Sequence, residues 1–327
     1  MQGKKSFSRV LGTGGYLPGK PVTNQDLVNR LRELDVETSD EWIRERSGIT
    51  SRYFCGKMST RDMGCIAAKQ AIAAASIDVT SIDLIIVATT TPDLVFPSVA
   101  CHIEKDLGLD RCTSFDIQAV CSGFVYALTI ADLFLKTGTK NNALVIGAER
   151  LSTILNWRDR STCVLFGDGA GAVILGKNSV PGIIASDISS SGKFCDILRA
   201  TGTPKNGVLE GTGYAEMQGQ EVFRKAVESL SESGIKLLNA CDVDVTSIDW
   251  FIPHQANIRI INKVAEKLKV PDSKVVKCVH KHANTSAASI PLALNEGITN
   301  GQIHFGDRLL LQGVGGGLTW GSILMDL

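Results

Sequence analysis

No apolar run in the sequence approaches the ~18 residues that a membrane-crossing helix needs. Net charge is also missing. Lys and Arg total 34, as do Asp and Glu, and a protein built to grip a polyanion should be more basic, so nucleic acid is not expected as a partner. No CxxC pair occurs. The nine cysteines, at 55, 65, 101, 112, 121, 163, 195, 241 and 278, are odd in number and scattered. A chain of 327 residues can build a core without staples, so they read as reduced thiols of a cytoplasmic enzyme, at least one of them free to act as a nucleophile. No His/Cys/Asp cluster has metal-ligand spacing, so no metal is expected. The opening MQGKKSFSRV has charge but no apolar stretch behind it, so no secretory signal is expected.

The rest of the composition is that of a globular protein: 44% hydrophobic and 21% charged. The length suits one large α/β domain or two of common size. Glycine, at 32 residues, exceeds the usual ~7% and points to several close backbone approaches.

The chain repeats itself. DVTSID occurs at 78–83 and again at 244–249, an offset of 166. Each copy follows a helix-like segment, and each precedes an apolar strand-like run, LIIVATT (84–90) or WFIP (250–253). The same offset carries Leu144 to Leu310 and Gly147 to Gly313. GAVIL (171–175) then resembles GSILM (321–325) at offset 150, which implies a 16-residue insertion in the first half, around Trp157–Cys163. Three pieces in one order indicate duplication. Helical and β-rich runs alternate, so each half reads as an α/β unit around a mixed sheet, 1–178 and 179–327, with the seam at GKNSVPG (176–182). Ser189 to Gly219, rich in Gly, Ser and Thr, reads as a long covering loop.

The chemistry concentrates at strand ends. TSFDIQ reads as a strand, and from Ser122 a helical pattern follows with Phe124, Ala127, Leu128 and Ala131 on one face. Cys121 lies at the junction, where a helix N-terminus favours a thiolate, beside the small residues Ala119, Ser122 and Gly123. Those residues alone leave a nucleophile and a buried structural cysteine both open. His254 follows Pro253 at the end of the WFIP strand. KVVKCVHKHANTSAAS (274–289) has strand character through Val279 and then presents Asn284. In α/β sheets, sites favour the carboxyl ends of strands. His280 and His282 are rivals to His254.

Two glycine runs, FGDGAGAVIL (166–175) and QGVGGGLTWGS (312–322), match neither GxGxxG nor a P-loop. The first reads as a tight turn between hairpin strands. The second suits a close backbone approach that could offer an N–H to an oxyanion. After PHQAN, Arg259, Lys263 and Lys267 fall on one helix face and Ile258, Ile261, Ala265 and Leu268 on another. That is either a solvated face or a dock for an acidic partner beside His254.

AVCSGFVYAL, PHQANIRII, NTSAASIP and GGGLTWGS, in this order, resemble the signatures of β-ketoacyl-acyl carrier protein synthase III, the condensing enzyme that starts type II fatty acid synthesis. ETSDEWIRERSGI, TTTPDLVFPSVAC, WRDRSTCVLFGDGAGAVIL and MQGQEVFRKAV extend the resemblance over essentially the whole chain. It implies a thiolase-like fold, two duplicated halves in five αβαβα layers with mixed sheets, as a cytoplasmic homodimer with no permanently bound cofactor. It implies Cys121 as the nucleophile that takes an acyl group from acyl-CoA, acetyl-CoA above all. His254 and Asn284 would hold the thioester of malonyl-acyl carrier protein while CO2 leaves, and the Cys121 and Gly316 amides would form the oxyanion hole. Trp42 and Arg160 correspond to a pair that sandwiches the CoA adenine, Arg46 to a phosphate contact and Asn257 to a pantetheine contact. Phe96 corresponds to a residue that crosses the dimer interface to floor the acyl pocket, and Arg259, with Lys263 and Lys267, to the acyl carrier protein contact. Ala283 departs from the family, where glycine commonly precedes the catalytic Asn. Three alternatives remain at this point: a relative with a longer, branched or dicarboxylic primer, a Cys-His-Asn hydrolase, and a non-catalytic scaffold.

Overall fold

The computed structural model describes residues 7–327. Its two main sheets contain nine strands: β1 (Phe7–Tyr16), β2 (Leu84–Ala88), β3 (Thr113–Ile117), β4 (Asn142–Glu149), β5 (Gly169–Asn178), β6 (Ile183–Ser190), β7 (Trp250–Pro253), β8 (Arg308–Gly315) and β9 (Thr319–Asp326). The first sheet runs β1-β5-β4-β2-β3 and the second β7-β8-β9-β6. Position by position they have the same sense. β1 on β5 and β5 on β4 are antiparallel, as are β6 on β9 and β9 on β8, while β4 beside β2 and β8 beside β7 are parallel. The counterpart of β3 has shrunk to a single parallel bridge, Phe251 to Val275.

The repeated DVTSID forms the same short 3-10 turn twice. Asp78 accepts from the Thr80 amide at 2.9 Å and Asp244 from the Thr246 amide at 2.8 Å. Between β4 and β5 lie residues 150–168. Between β8 and β9 lie only 316–318. The difference is the 16-residue insertion expected from the slip in offset.

Strands covered on both faces need continuous apolar runs, and LIIVA of β2 is buried throughout. Helix α1 (Thr60–Ala75) starts at a capping box in which Ser59 and Asp62 satisfy each other's amides, and packs on the outer face of the first sheet. Helices α2 (Gly123–Lys136) and α5 (Ser289–Thr299) touch strands of both sheets and form the layer between them. Helix α3 (Gly219–Ala240), with α4 (Ile258–Leu268) against it, covers the outside of the second sheet. The result is five layers, α-β-α-β-α. No helix among the described residues is long and apolar enough to cross a membrane.

Three expectations are corrected. Residues 189–219 are not a structureless loop. They fold into two small ribbons, Leu198–Ala200 with Ala215–Met217 and Thr203–Lys205 with Val208–Glu210. Residues 274–279 form no strand beyond the Val275 bridge, and Val279–His282 is a helical turn. The glycines of 166–175 are not mainly turn residues. Gly169 and Gly171 lie within β5, and a Cβ on Gly171 would stand 2.8 Å from the Leu292 amide of α5, so glycine lets the middle layer close on the sheet.

Candidate active site

Cys121 sits in a 3-10 turn, Val120–Ser122, between β3 and α2. The turn is forced: Val120, a β-branched residue, has φ +49°. What holds it is the last loop of the second sheet. A Cβ on Gly315 would lie 2.6 Å from the Cys121 amide and 2.8 Å from the Ala119 carbonyl, so any side chain there would push the Cys121 turn away. The glycine run thus lays its backbone against Cys121 across the two sheets.

His254 follows β7, its amide bonded to the Gln312 carbonyl at 2.7 Å. The ring is buried, and neither ring nitrogen has a hydrogen-bond partner. Burial alone drives its pKa down to about 3, so the imidazole is neutral. Asn284 is clamped by the start of the FGD segment and the residue before it: its amide donates to the Leu165 carbonyl at 2.9 Å, and its carbonyl accepts from the Gly167 amide at 3.0 Å. Its Oδ1 accepts from the Ser286 amide at 2.8 Å, which turns the NH2 of the side chain outward. Positioning Asn284 is therefore the work of a motif that sequence reading treated as a turn.

Cys121, His254 and Asn284 come from three separate elements and line one cavity of about 1190 Å³. Trp42, Arg46, Asn257, Arg259 and Gly316 line it too, as do Leu198 to Thr203 of the ribbons, so that segment does cover the site. The Trp42 ring carries the Arg46 guanidinium at 4.4 Å and the Arg160 guanidinium at 4.9 Å from its centroid. Arg160 also donates to the Glu37 carbonyl at 2.6 Å. A base between Trp42 and Arg160 requires those planes to part. Lys263 and Lys267 lie outside the lining, exposed on α4, with Lys263 paired to Glu266 at 2.8 Å. Arg259, at the rim, approaches the Phe223 ring at 5.5 Å. Phe96 is 82% exposed, in an apolar tip with Leu94 and Val95, and does not line the cavity of its own chain.

Two expectations about chemistry change. Cys121 does not rest as a thiolate: burial pushes the thiol up to about 12 and outweighs the helix end, so the resting group is S–H. Among the described residues, ligand-type atoms do meet once, where Cys278, His282 and Glu296 come within 4.8 Å. Linear spacing hid this because Glu296 comes from α5. Glu296 is taken by His282 Nε2 at 2.8 Å and by Lys281, an arrangement that spends its charge on an ion pair, and His282 is thereby removed as a rival to His254.

Sequence reading missed Glu149, Ser286 and Thr90. Thr90 and Ser286 line the cavity beside Cys121, and Glu149 lies behind them, fully buried. The available signal was a single acidic residue closing the apolar run LVIGAE.

Ala283, just before Asn284, has φ +58° and ψ −159°, a region held almost only by glycine. Such strain costs about 1–3 kcal/mol. Ala283→Gly is expected to keep or raise the melting temperature, against the usual loss on Ala→Gly, and to leave condensation unchanged. Thermal denaturation checks this, and a clear fall in melting temperature would refute the strain.

Duplicated mixed sheets enclosing helices make the fold thiolase-like, and the chain is a condensing enzyme, an acyltransferase. Models for 3-oxoacyl-[acyl-carrier-protein (ACP)] synthase III match residues 115–192, and those for its C-terminal part match 238–327. The synthase III from Aquifex aeolicus VF5 is 44% identical over 98% of this chain and 100% of its own, with a TM-score of 0.91. That from Pseudomonas aeruginosa PAO1 is 35% identical over 98% of each chain, at 0.90. A priming β-ketosynthase from the R1128 polyketide pathway is 33% identical over 99% of this chain and 97% of its own, at 0.92. The chain belongs to the 3-oxoacyl-[acyl-carrier-protein] synthase III family, the initiating condensing enzymes of fatty acid synthesis.

Proposed function

We propose that the chain joins a short acyl-CoA, acetyl-CoA foremost, to malonyl-acyl carrier protein, giving 3-oxoacyl-acyl carrier protein, CoA and CO2 through an acyl-Cys121 intermediate. The observation that carries this is the meeting in a single cavity of one buried thiol, an unpartnered neutral imidazole, His254, and the Asn284 side chain, whose Oδ1 is held by the Ser286 amide so that its NH2 faces Cys121. Cys121 takes the acyl group as a thioester, which conserves its activation. The Cys121 and Gly316 amides hold the oxyanion. His254 and Asn284 then donate to the malonyl thioester oxygen as CO2 leaves, and the enolate attacks the acyl carbon. Neutral donors suit this step, because a charged imidazolium in a buried site would have to be desolvated with no partner.

CoA would enter past Trp42, Arg46, Arg160 and Asn257 as a substrate, with no resident cofactor. The acidic carrier protein would dock on the α4 face of Arg259, Lys263 and Lys267, two of which stand free of the cavity. The exposed Leu94–Phe96 tip supports a homodimer in which Phe96 reaches the partner's acyl pocket. The separate strand sets of the two sheets support a division into halves at 1–178 and 179–327. A longer or branched primer is the second reading. It is favoured by the likeness to a polyketide priming enzyme.

The test is intact mass after incubation with a panel of acyl-CoAs, with peptide mapping. One acyl group on Cys121, best from acetyl-CoA, is expected. A best donor of another length moves the reading to the second. No adduct, with no CoA released, refutes both.

A further inference from the structure

Behind the cavity floor lies a carboxyl that the mechanism above does not use. Glu149 ends β4 and has no solvent exposure. It accepts from the Thr90 amide at 3.0 Å, from the Thr90 hydroxyl at 2.8 Å, from the Thr91 hydroxyl at 2.7 Å and from the Ser286 hydroxyl at 2.9 Å. Among the described residues no Lys or Arg pairs with it. Arg150, next in the chain, turns to Asp93 at 3.4 Å and to the Cys55 sulfur. Asp168, at the start of β5, is taken up by the Cys55 amide and by Ser152. The titratable groups facing this network are therefore Cys121 and, across the cavity, His254. Ser286 and Cys121 line the cavity side by side, where the Ser286 hydroxyl, ahead of the Asn284 side chain, favours a charged sulfur. One hydroxyl stands between a buried acid and a buried thiol, and it has one proton to give. It can donate to Glu149 or to sulfur, and which it does depends on which end holds the other proton.

We propose that Glu149, acting through Ser286, takes up the Cys121 proton as the acyl group is transferred, keeps it while the acyl-enzyme exists, and returns it when the condensation product leaves. The inference rests on Cys121 being the acylated residue. In the first step the Sγ–H bond breaks, Ser286 accepts that proton and passes its own to Glu149. The Sγ pair forms the new C–S bond, and the CoA sulfur departs with the old bonding pair and takes a proton from water. In the second step the enolate carbon bonds to the acyl carbon, Sγ leaves with the C–S pair, and the same route delivers the proton back.

The arrangement answers a difficulty the site poses. The thiol is too deeply buried to ionise unaided, and His254, also buried, is a poor base. Burial likewise raises the Glu149 carboxyl, narrowing its gap to the thiol. A neutral Glu149 in the acyl-enzyme also spares the malonyl carboxylate and the enolate a nearby like charge.

The experiment compares wild type, Glu149→Gln, Ser286→Ala and the double variant in two assays. These are single-turnover CoA release from the acyl donor that labels wild type, and alkylation of Cys121 by iodoacetamide across pH 5 to 10. The expected result is acylation slower by about 100-fold in each single variant, no further loss in the double, and loss of the neutral-pH plateau of wild-type alkylation. Charge alone predicts the opposite, since removing a negative group near sulfur eases ionisation. An unchanged or faster Glu149→Gln enzyme, or a retained plateau, overturns the proposal. Should Glu149→Gln fail to fold, the Ser286→Ala profile decides. If wild type itself gives no acyl-Cys121, the nucleophile assignment fails, and the alkylation profiles still judge the relay.

Discussion

Cys121→Ala is expected to abolish acyl-enzyme formation and to lower condensation at least about a thousandfold, while the protein stays folded. The second half of that statement comes from packing. Cys121 is buried, and losing one sulfur leaves a void that costs about 1 kcal/mol. The turn that carries it is fixed by the Val120 backbone and by the Gly315 backbone against the Cys121 amide, not by the sulfur. The variant therefore separates two duties of the site. With acyl-CoA no mass shift should appear. With malonyl thioester alone, slow decarboxylation should persist, because His254 and Asn284 hold their places through backbone bonds to Gln312, Leu165 and Gly167. Persistent acylation elsewhere on the chain would refute the nucleophile assignment. Loss of decarboxylation together with acylation would mean that the donors depend on the sulfur.

How much of this was legible in the sequence differs by level. The duplication was, because DVTSID makes a turn whose capping Asp must stay Asp-like in both copies, and because the sixteen-residue slip is a whole connection between strands. The three residues at the cavity were found from strand ends and from the family's motifs. What could not be read was anything made by residues far apart in the chain. Gly171 looks like a turn glycine until α5 is seen against it, whereas the close approach expected of the 312–322 run is there at Gly315, against the Cys121 turn. Glu149 reads as the polar end of a strand until Thr90 and Ser286, from other elements, close over it. The thiolate expected from the helix end was wrong because dipole arguments are local and burial is not.

His254→Ala should acylate Cys121 normally and fail in condensation by about 100- to 1000-fold, the scale of losing one donor to a developing oxyanion. Asn284→Ala should do the same, since in the proposed reaction the two donate to one oxygen. The histidine adds a signature that asparagine cannot. Its folded ring takes a proton only near pH 3, while an unfolded histidine does so near 6.5. Between these values the unfolded state binds more protons, so acid favours unfolding. The wild type should lose stability as pH falls through that window, and above it the effect is absent. His254→Ala should be spared that part of the loss, so the stability gap between the two proteins should shift in the variant's favour from pH 7 to pH 4.5. Denaturant unfolding at the two pH values measures it. A gap independent of pH would mean that the ring is charged or hydrated in the folded protein. It would then be no neutral donor, and decarboxylation would have to draw on an imidazolium. The condensation rate decides in parallel: a neutral His254 gives no acid limb of its own above about pH 4, whereas a protonated one would make the rate fall as pH rises past 6.5.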